Sequence, residues 1–332
     1  MKQLLFIFLS CLITGKAFNQ SLSGITEKSD TSFSVHSAYI STKKTHPDIT
    51  IVNEFQSDSI KEKRNIVYCK TDGATGQRKL LLDVFYPEQK DKILRPAVLI
   101  IHGGGWRTGN KSIHHPLAQR LAGLGYVCFT PEYRVSTEAL YPAAVYDIKA
   151  AVRWIRRNAK KFNIDISKIA MAGHSAGGEL AAFTGATNNN PAFEGMGCNL
   201  KYSSTVQAIV DMDGILAFIH PESGEGDDSK RISAATNWFG YSKKENPELW
   251  QQASPLTYAG KNTPPTLFIN SSVDRMHAGR EDYIKILNEY HIYSEVKTFE
   301  NAPHSFCLFE PWFDPTVKYI DEFLKKIFPL EK

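Results

Sequence analysis

The most informative stretch of the sequence is Gly173-His174-Ser175-Ala176-Gly177. An apolar segment with the length of a buried strand, residues 169–172, precedes it, and a segment rich in helix formers, residues 178–183, follows it. A sharp turn between a strand and a helix exposes the serine, and only small flanking residues leave room for such a turn. The sequence therefore predicts a strand–turn–helix unit with Ser175 exposed at the turn. The alternative is an ordinary glycine-rich turn before a helix.

A second glycine-rich loop meets the same chemical need. Residues 97–101 are predicted to form a buried strand, and His102-Gly103-Gly104-Gly105-Trp106 follows it directly. Acyl transfer to a serine requires two backbone N–H donors aimed at the developing oxyanion. We expect one donor from Gly103 or Gly104 and the other from Ala176, the residue after the nucleophile. Either loop alone is a weak indication, but the two together favour a serine hydrolase.

The predicted base and acid follow the nucleophile along the chain. His304 comes after a predicted strand, residues 294–299, and before the last helix, and this chain order favours it as the base. Asp274 is the favoured acid, because it follows the penultimate predicted strand and would hold the imidazole in the required tautomer. Asp213, at the end of the strand before that, is the competing acid.

With these motifs the chain resembles the α/β-hydrolase esterases that carry an HGGG oxyanion loop. Within that group it is similar to secreted bacterial carbohydrate esterases that act on pectin or xylan. The resemblance covers residues 61–328 and rests on several motifs: His102-Gly103-Gly104-Gly105-Trp106, Asp147-Ile148-Lys149-Ala150-Ala151-Val152-Arg153-Trp154, Gly173-His174-Ser175-Ala176-Gly177-Gly178, Phe268-Ile269-Asn270-Ser271-Ser272, His277-Ala278-Gly279-Arg280, Pro303-His304-Ser305-Phe306 and Phe309-Glu310-Pro311-Trp312-Phe313. It implies an α/β fold and ester hydrolysis through a serine.

The rest of the chain alternates between predicted strands and helices. Such alternation favours a mostly parallel central sheet with helices on both faces. An antiparallel pair, residues 65–69 and 80–86, is predicted first, and residues 142–162 form the longest predicted helix. Ligands of such sheets bind beyond the carboxyl ends of the strands, where all three motifs lie. The insertion at about 217–260 is expected to cap the site.

The start of the chain has the features of a signal peptide. Residues 1–17 combine a charged start, a short apolar run and small residues, which predicts a secreted or periplasmic protein. Lipid attachment at Cys11 is a weaker alternative, because the apolar run before it is very short. Residues 18–60 are predicted to be a flexible leader, with a strand or two on the edge of the core as the alternative. The hydrolase domain then spans residues 61–332.

Four cysteines remain after the predicted signal peptide. Cys128 lies in a predicted strand and is expected to be a buried thiol, whereas Cys198 and Cys307 lie in predicted loops and are the pair we expect to test first. Cys69 is the fourth. Their spacings do not resemble a zinc site, and the predicted mechanism needs neither a metal nor an organic cofactor.

Charge and aromatic residues bear on the substrate. The formal net charge of +4 does not indicate nucleic acid as a partner, and beyond the signal no segment is apolar enough to cross a membrane. A carboxylate of a uronic acid would suit arginines near the mouth of the site. The candidate substrate contacts are Trp106, Arg107, Arg275, His277, Arg280 and Trp238. The alternatives are ion pairs with local acids for the arginines and packing of the cap for the tryptophans.

The sequence thus predicts the removal of acetyl or methyl esters from a plant cell-wall polysaccharide, with pectin favoured, by a Ser-His-Asp two-step acyl transfer. An acetylxylan or feruloyl-type esterase and a general small-ester hydrolase are the alternatives within the same class. A carbohydrate-binding protein that has lost catalysis is the alternative from a different class. The sequence does not distinguish the acyl group, the polysaccharide or the oligomeric state.

Overall fold

An eight-stranded sheet forms the centre of the computed structural model, which describes residues 25–73, 76–88 and 93–329. The strands are β1 (Thr50–Ile51), β2 (Ile60–Gly73), β3 (Gly76–Pro87), β4 (Arg95–Ile101), β5 (Val127–Pro131), β6 (Ile164–His174), β7 (Ala208–Met212), β8 (Thr266–Asn270), β9 (Ser294–Thr298) and β10 (Phe309–Glu310). Their order in the central sheet is β2-β3-β5-β4-β6-β7-β8-β9, and β1 pairs with β10 in a small separate sheet. The pairs β2–β3 and β3–β5 are antiparallel and all other pairs of the central sheet are parallel. The predicted mostly parallel sheet is confirmed.

Helices cover both faces of this sheet. They are α1 (Val35–Thr42), α2 (His115–Gly123), α3 (Ala143–Arg157), α4 (Ala159–Phe162), α5 (Ala176–Ala186), α6 (Ala234–Phe239), α7 (Pro247–Gln252), α8 (Arg280–Glu289) and α9 (Phe313–Ile327), with short 3₁₀ helices at Lys111–His114, Pro191–Phe193, Pro255–Tyr258, Asp274–His277 and Phe306–Leu308. Side chains of β4 alternate between two buried clusters, since Leu99 belongs to the cluster that contains residues of α3, α5 and α8, whereas Val98 belongs to the cluster that contains residues of α2 and α9. The long predicted helix at residues 142–162 is divided at Asn158 into α3 and α4.

The register of the parallel strands aligns the ends that carry the site. Gly173 of β6 is opposite Ile101 of β4, and His174 is opposite Met212 of β7. The residues that follow these three strand ends, including the HGGG loop, Ser175 and Asp213, therefore meet at one edge of the sheet, as expected for a parallel sheet.

The cap insertion consists mainly of α6 and α7 and is built around aromatic side chains. Trp238 and Trp250 are both completely buried. The ring of Phe239 lies between them, with centroids 5.1 Å from Trp238 and 4.8 Å from Trp250. These tryptophans hold the cap on the core, which is the alternative that the sequence left open for them.

The N-terminal segment differs from the flexible leader that the sequence predicts. Residues 35–42 form α1, and the side chain of Ser34 caps its start by accepting a hydrogen bond from the backbone of Ser37. Ala38 is buried in the same cluster as α2 and α9, and β1 adds the short pairing with β10. The predicted signal peptide and Cys11 lie outside the described residues.

One disulfide bond joins Cys69 of β2 to Cys198, with 5.5 Å between their Cα atoms. The predicted pairing of Cys198 with Cys307 is wrong, because the edge strand β2 brings Cys69 to the loop that precedes β7. Cys307 is a free buried thiol, and so is Cys128, as predicted for the latter. Within the described ranges, no helix has the length and apolar character needed to cross a membrane.

Candidate active site

Ser175 occupies a sharp turn between β6 and α5. Its backbone has φ 56° and ψ −123°, a conformation that costs energy for any residue other than glycine. The flanking glycines make the turn possible: a Cβ atom on Gly173 would lie 2.0 Å from the carbonyl oxygen of Gly177, and one on Gly177 would lie 2.2 Å from that of Ile101. The strand–turn–helix unit predicted from the sequence is therefore present, with Ser175 at its corner.

A chain of hydrogen bonds links Ser175 to a histidine and a carboxylate. Nε2 of His304 lies 2.8 Å from Oγ of Ser175, and Nδ1 of the same ring lies 2.9 Å from Oδ2 of Asp213. The carboxylate of Asp213 can only accept from Nδ1–H, so Nε2 carries the lone pair that faces the serine. This is the geometry that a base needs in order to remove the proton of the serine hydroxyl.

Asp213 is held as an anion in a buried position. Burial alone would raise the pKa of this carboxyl group, but the neighbouring imidazoles of His277 and His304 and the backbone N–H of Ser271 hold the pKa well below its usual range. Nε2 of His277 lies 3.6 Å from Oδ1 of Asp213, which is an electrostatic contact longer than a hydrogen bond. The amide of Asn270 adds a weaker contact at 3.4 Å. The acid is thus supported by residues at the end of β8.

Asp274, the acid favoured from the sequence, does not contact His304. Its side chain is exposed in the 3₁₀ helix Asp274–His277 and lines a separate cavity with Arg280. The prediction is wrong because β7, and not β8, is the neighbour of β6 in the sheet. The residue that follows β7 is therefore beside the serine, and this residue is Asp213, the competing candidate.

The HGGG loop lies directly against the serine turn. A Cβ atom on Gly103 would be 2.8 Å from the carbonyl oxygen of His174 and 3.0 Å from Cβ of Ser175, so only glycine permits this approach. Gly104 has φ 121° and lines the same cavity as Ser175. Ala176 is the first residue of α5, where backbone N–H groups have no partner within the helix. The predicted donors Gly103, Gly104 and Ala176 therefore surround the serine.

Buried aromatic rings support this loop from behind. The imidazole of His102 stacks on Tyr133 with 4.4 Å between ring centroids, and the hydroxyl of Tyr133 donates to the backbone carbonyl of His102. Trp106 donates from its indole N–H to Glu179 and stacks on Trp238 at 4.9 Å. Trp106 is only 4% exposed and Trp238 is fully buried, so the prediction that these two rings contact substrate is wrong.

A cavity of about 590 Å³ opens over the serine and the histidine, and we call it the catalytic cavity. Helix α1 and the turn after it form one of its walls, which sequence reasoning missed. Ser37, Ser41 and Thr45 line this wall together with Phe33 and Ala38. The hydroxyl of Thr42 lies 2.8 Å from that of Ser305, the residue after the histidine. The Ser-x-x-Ser pattern at residues 34–37 is the signal that could have indicated a helix start here.

A second cavity of about 750 Å³ lies beyond the HGGG loop and shares Phe33, Gly104 and Gly105 with the catalytic cavity. We call it the arginine cavity, since Arg107, Arg231 and Arg275 line it. Within the described ranges, neither Arg231 nor Arg275 has an acidic partner at ion-pair distance. Two acids also line the cavity, Glu225 and Asp227, and both accept hydrogen bonds from backbone N–H groups of the cap. The sequence predicted Arg107 and Arg275 as substrate contacts but missed Arg231.

Arg280 and His277, the other predicted contacts, line a third cavity of about 430 Å³ together with Asp274. The guanidinium of Arg280 donates to the side-chain oxygen of Asn270 over 2.6 Å and pairs with Glu281. Arg280 therefore contacts Asn270, which in turn contacts Asp213, and it does not line the catalytic cavity. His277 likewise faces Asp213.

The parallel sheet, the serine turn, the HGGG loop and the Ser–His–Asp chain together define an α/β-hydrolase with a serine nucleophile. The chain belongs to the BD-FAE family, whose model matches residues 82–279, more than half of the sequence. That match contains the HGGG loop, Ser175 and Asp213.

Curated relatives match this chain over part of their length. Esterase LipC of Mycobacterium tuberculosis is 34% identical over 203 residues, which are 58% of this chain and 48% of LipC. Carboxylesterase NlhH of the same organism is 37% identical over 115 residues, 34% of this chain and 35% of NlhH. The chain thus spans about half or less of the length of these relatives.

Solved structures match over most of the chain. Native esterase Est2 of the planctomycete Thermogutta terrifontis is 26% identical with a TM-score of 0.64, over 82% of this chain and 94% of Est2. A truncated carbohydrate esterase from gut microbiota has a TM-score of 0.68 over 83% of this chain and 99% of that protein. At 23% identity the second likeness shows the fold alone.

Proposed function

We propose that this protein is a serine ester hydrolase. The observation that carries the proposal is the hydrogen-bonded chain from Asp213 through His304 to Ser175, with the HGGG loop against the serine. A protein that only binds carbohydrate has no need for a buried carboxylate that orients an imidazole toward a strained serine. The curated relatives named as esterases support the same class of reaction.

The reaction proceeds in two acyl-transfer steps. Nε2 of His304 accepts the proton of Ser175 while Oγ attacks the ester carbonyl carbon, and the imidazolium is stabilised by Asp213. Backbone N–H groups of Ala176 and of Gly103 or Gly104 stabilise the oxyanion. The C–O bond then breaks, and the alcohol leaves with the proton of His304. Water, deprotonated by the same imidazole, releases the acid and restores the serine.

The substrate class that we propose is an esterified polysaccharide, with pectin favoured. Ser41 of α1 lines the catalytic cavity, and its hydroxyl suits hydrogen bonding to a sugar beside the scissile ester. Arg231 and Arg275, which lack acidic partners among the described residues, suit the carboxylate of a neighbouring uronic acid. One structural neighbour is a carbohydrate esterase, which is in line with this class. A small-ester hydrolase is the second candidate, because Est2 of Thermogutta terrifontis has been observed with butyrate bound.

We also propose that residues 1–17 act as a signal peptide, which directs export of the protein and is then cleaved off. The Cys69–Cys198 disulfide supports an oxidising compartment. Expression of the full chain and of a chain that lacks residues 2–17, followed by cell fractionation, tests this. Equal retention of both chains in the cytoplasm would contradict export.

The function is tested by measuring released acetate and methanol separately after incubation with acetylated pectin, methylated pectin and acetylated xylan. Hydrolysis of p-nitrophenyl acetate is measured in parallel. Ser175→Ala should abolish release from every substrate in a folded protein, because the attacking oxygen is lost. Activity of the folded variant would contradict the serine mechanism. Turnover of the aryl acetate alone would favour the small-ester hydrolase.

A further inference from the structure

Three buried side chains that the proposed reaction does not use meet behind the serine turn. His114, His174 and Cys307 each offer a nitrogen or sulfur atom, and these atoms lie within 4.8 Å of one another. Each of the three residues is at most 1% exposed. They come from the 3₁₀ helix before α2, from the end of β6 and from the 3₁₀ helix after His304. Their wide separation along the chain explains why the sequence alone predicts no metal site.

The hydrogen bonds of His174 leave one nitrogen free for a ligand. Its Nε2 lies 2.7 Å from the backbone carbonyl oxygen of His304. A carbonyl oxygen can only accept, so Nε2 carries the hydrogen and Nδ1 carries the lone pair. Nδ1 has no hydrogen-bond partner among the described residues. A buried lone pair without a protein partner is a position that a water molecule or a metal ion commonly fills.

His114 is even less satisfied. Neither of its ring nitrogens has a hydrogen-bond partner within the part of the chain that the structure describes. A neutral imidazole has one donor and one acceptor, so a ligand that bonds at least one nitrogen would relieve the cost of burying the ring.

A small cavity of about 10 Å³ adjoins the cluster. His114 and Cys307 line it, and its other walls are apolar side chains from α1, α2 and their neighbours. This volume suffices for a single small species such as one water molecule. The cluster therefore has room for one additional ligand at its edge and none for an organic molecule.

We propose that His114, His174 and Cys307 bind one Zn²⁺ ion behind the catalytic serine. Two imidazole nitrogens and one thiolate are a ligand set that zinc accepts, and its fourth position can be taken by water. The hard cations Mg²⁺ and Ca²⁺ prefer oxygen ligands, which this set lacks. On binding, a Zn–S bond forms and the proton of the Cys307 thiol passes to solvent. The charge of the zinc is partly balanced by the thiolate.

The position of this site relates it to the catalytic residues. His174 immediately precedes Ser175, and Cys307 lies three residues after His304. A cation held by both would connect the serine turn to the histidine loop, which otherwise meet here through the His174–His304 hydrogen bond. Binding only to the folded state raises the thermal unfolding temperature. The bound ion therefore stabilises the folded state. The proposal of a zinc site does not depend on the proposed ester hydrolysis.

Metal content of the full-length purified chain tests the proposal. Because the site is buried, the protein is unfolded in denaturant with a chelator and refolded with and without zinc chloride, with the disulfide kept intact. We expect about one zinc per chain after removal of free metal, and a higher unfolding temperature than in the zinc-free sample. Refolding with cobalt should give the near-ultraviolet charge-transfer band of a cobalt–thiolate bond.

Variants assign the metal to the cluster. Cys307→Ser and His114→Asn should each lose the bound zinc and the zinc-dependent rise in unfolding temperature. Cys128→Ser is the matched control, because Cys128 is also a free buried thiol but lies outside the cluster, and it should retain both. A wild-type chain that refolds without retaining zinc or forming a cobalt–thiolate band would overturn the proposal and leave a buried water as the occupant. Equal zinc content in Cys307→Ser and wild type would also overturn it.

Discussion

The backbone N–H of Ser175 donates a hydrogen bond to the carbonyl oxygen of Met212 over 2.8 Å. Met212 is the last residue of β7, so this bond fixes the serine next to the strand whose following residue is Asp213. His304 then bridges the two side chains from the loop after β9. The relative positions of serine and acid are thus set by strand pairing, while that of the base depends on a loop.

This geometry predicts that Asp213 is the essential acid. We expect Asp213→Asn to lower kcat by about 10⁴-fold, the effect that loss of a triad acid has in serine proteases, because His304 loses both its anionic partner and its tautomer. Hydrolysis of p-nitrophenyl acetate by the folded variant measures this. The matched control is Asp274→Asn, which should retain kcat. A strong loss in the control with little loss at position 213 would contradict the assignment.

The arginine cavity predicts selective recognition of uronic acids. Arg275→Ala and Arg231→Ala should each raise KM for a pectic oligosaccharide about 10- to 100-fold, the range of one charge-assisted hydrogen bond, and spare the neutral aryl acetate. Arg157→Ala, at an exposed arginine of α3, is the control. Raised salt should weaken only the pectic reaction. If both substrates lose equally, these arginines support the cap and do not bind the substrate.

Helix α1 predicts an effect of Ser41 on sugar esters. Ser41 lines the catalytic cavity, so Ser41→Ala should raise KM for an acetylated oligosaccharide by about 2- to 10-fold, the value of one hydrogen bond. Ser41→Trp should reduce the space in the cavity and raise this KM further. Neither change should alter kcat for p-nitrophenyl acetate. Ser57→Ala, at a serine outside the cavity, is the control, and an equal rise there would argue against a role for α1.

Stability should decline in acid because of one buried carboxylate in β3. Asp83 is fully buried, and although burial opposes ionisation, bonds from His115, Lys111 and the backbone of Asn65 lower its pKa to about 2. A carboxyl whose pKa is lowered on folding stabilises the protein above its unfolded pKa of about 3.9, and this stabilisation is lost as the pH falls toward 2. The shift corresponds to about 2.5 kcal/mol.

Urea unfolding of wild type and Asp83→Asn between pH 6 and pH 2 measures this contribution. The difference in the free energy of unfolding should be largest at pH 5 and above and should shrink toward pH 2. Asp58→Asn, at an exposed carboxylate, should show no such trend. A difference between wild type and Asp83→Asn that is constant with pH would mean that folding does not lower the pKa of this carboxyl group.

Sequence patterns predicted those parts of the site that are local. The serine turn depends on glycines within five residues, and the HGGG loop follows its own strand, so both could be assigned from the chain alone. The choice between Asp213 and Asp274 depends on which strand neighbours β6, and chain order does not contain that information. The predicted disulfide pairing was wrong for the same reason, since Cys69 and Cys198 meet through sheet packing.

The missed helix α1 has a different cause. Residues 35–42 have few apolar side chains in series, and the helix is stabilised by its cap and by packing of Ala38 on the core. Apart from the Ser-x-x-Ser pattern at its start, only tertiary contact distinguishes it from a leader that does not fold. The tryptophans of the cap show the opposite error, because an aromatic side chain suits a sugar face and a buried core equally well.

The wall that α1 contributes has a consequence for how specificity is encoded. It lies before residue 82, outside the stretch that matches the family, whereas the nucleophile and the acid lie within that stretch. The nucleophile and one wall of the catalytic cavity are therefore carried by separate portions of the chain. Exchange of the N-terminal portion between related enzymes offers a route to new substrate preferences that leaves the catalytic machinery untouched.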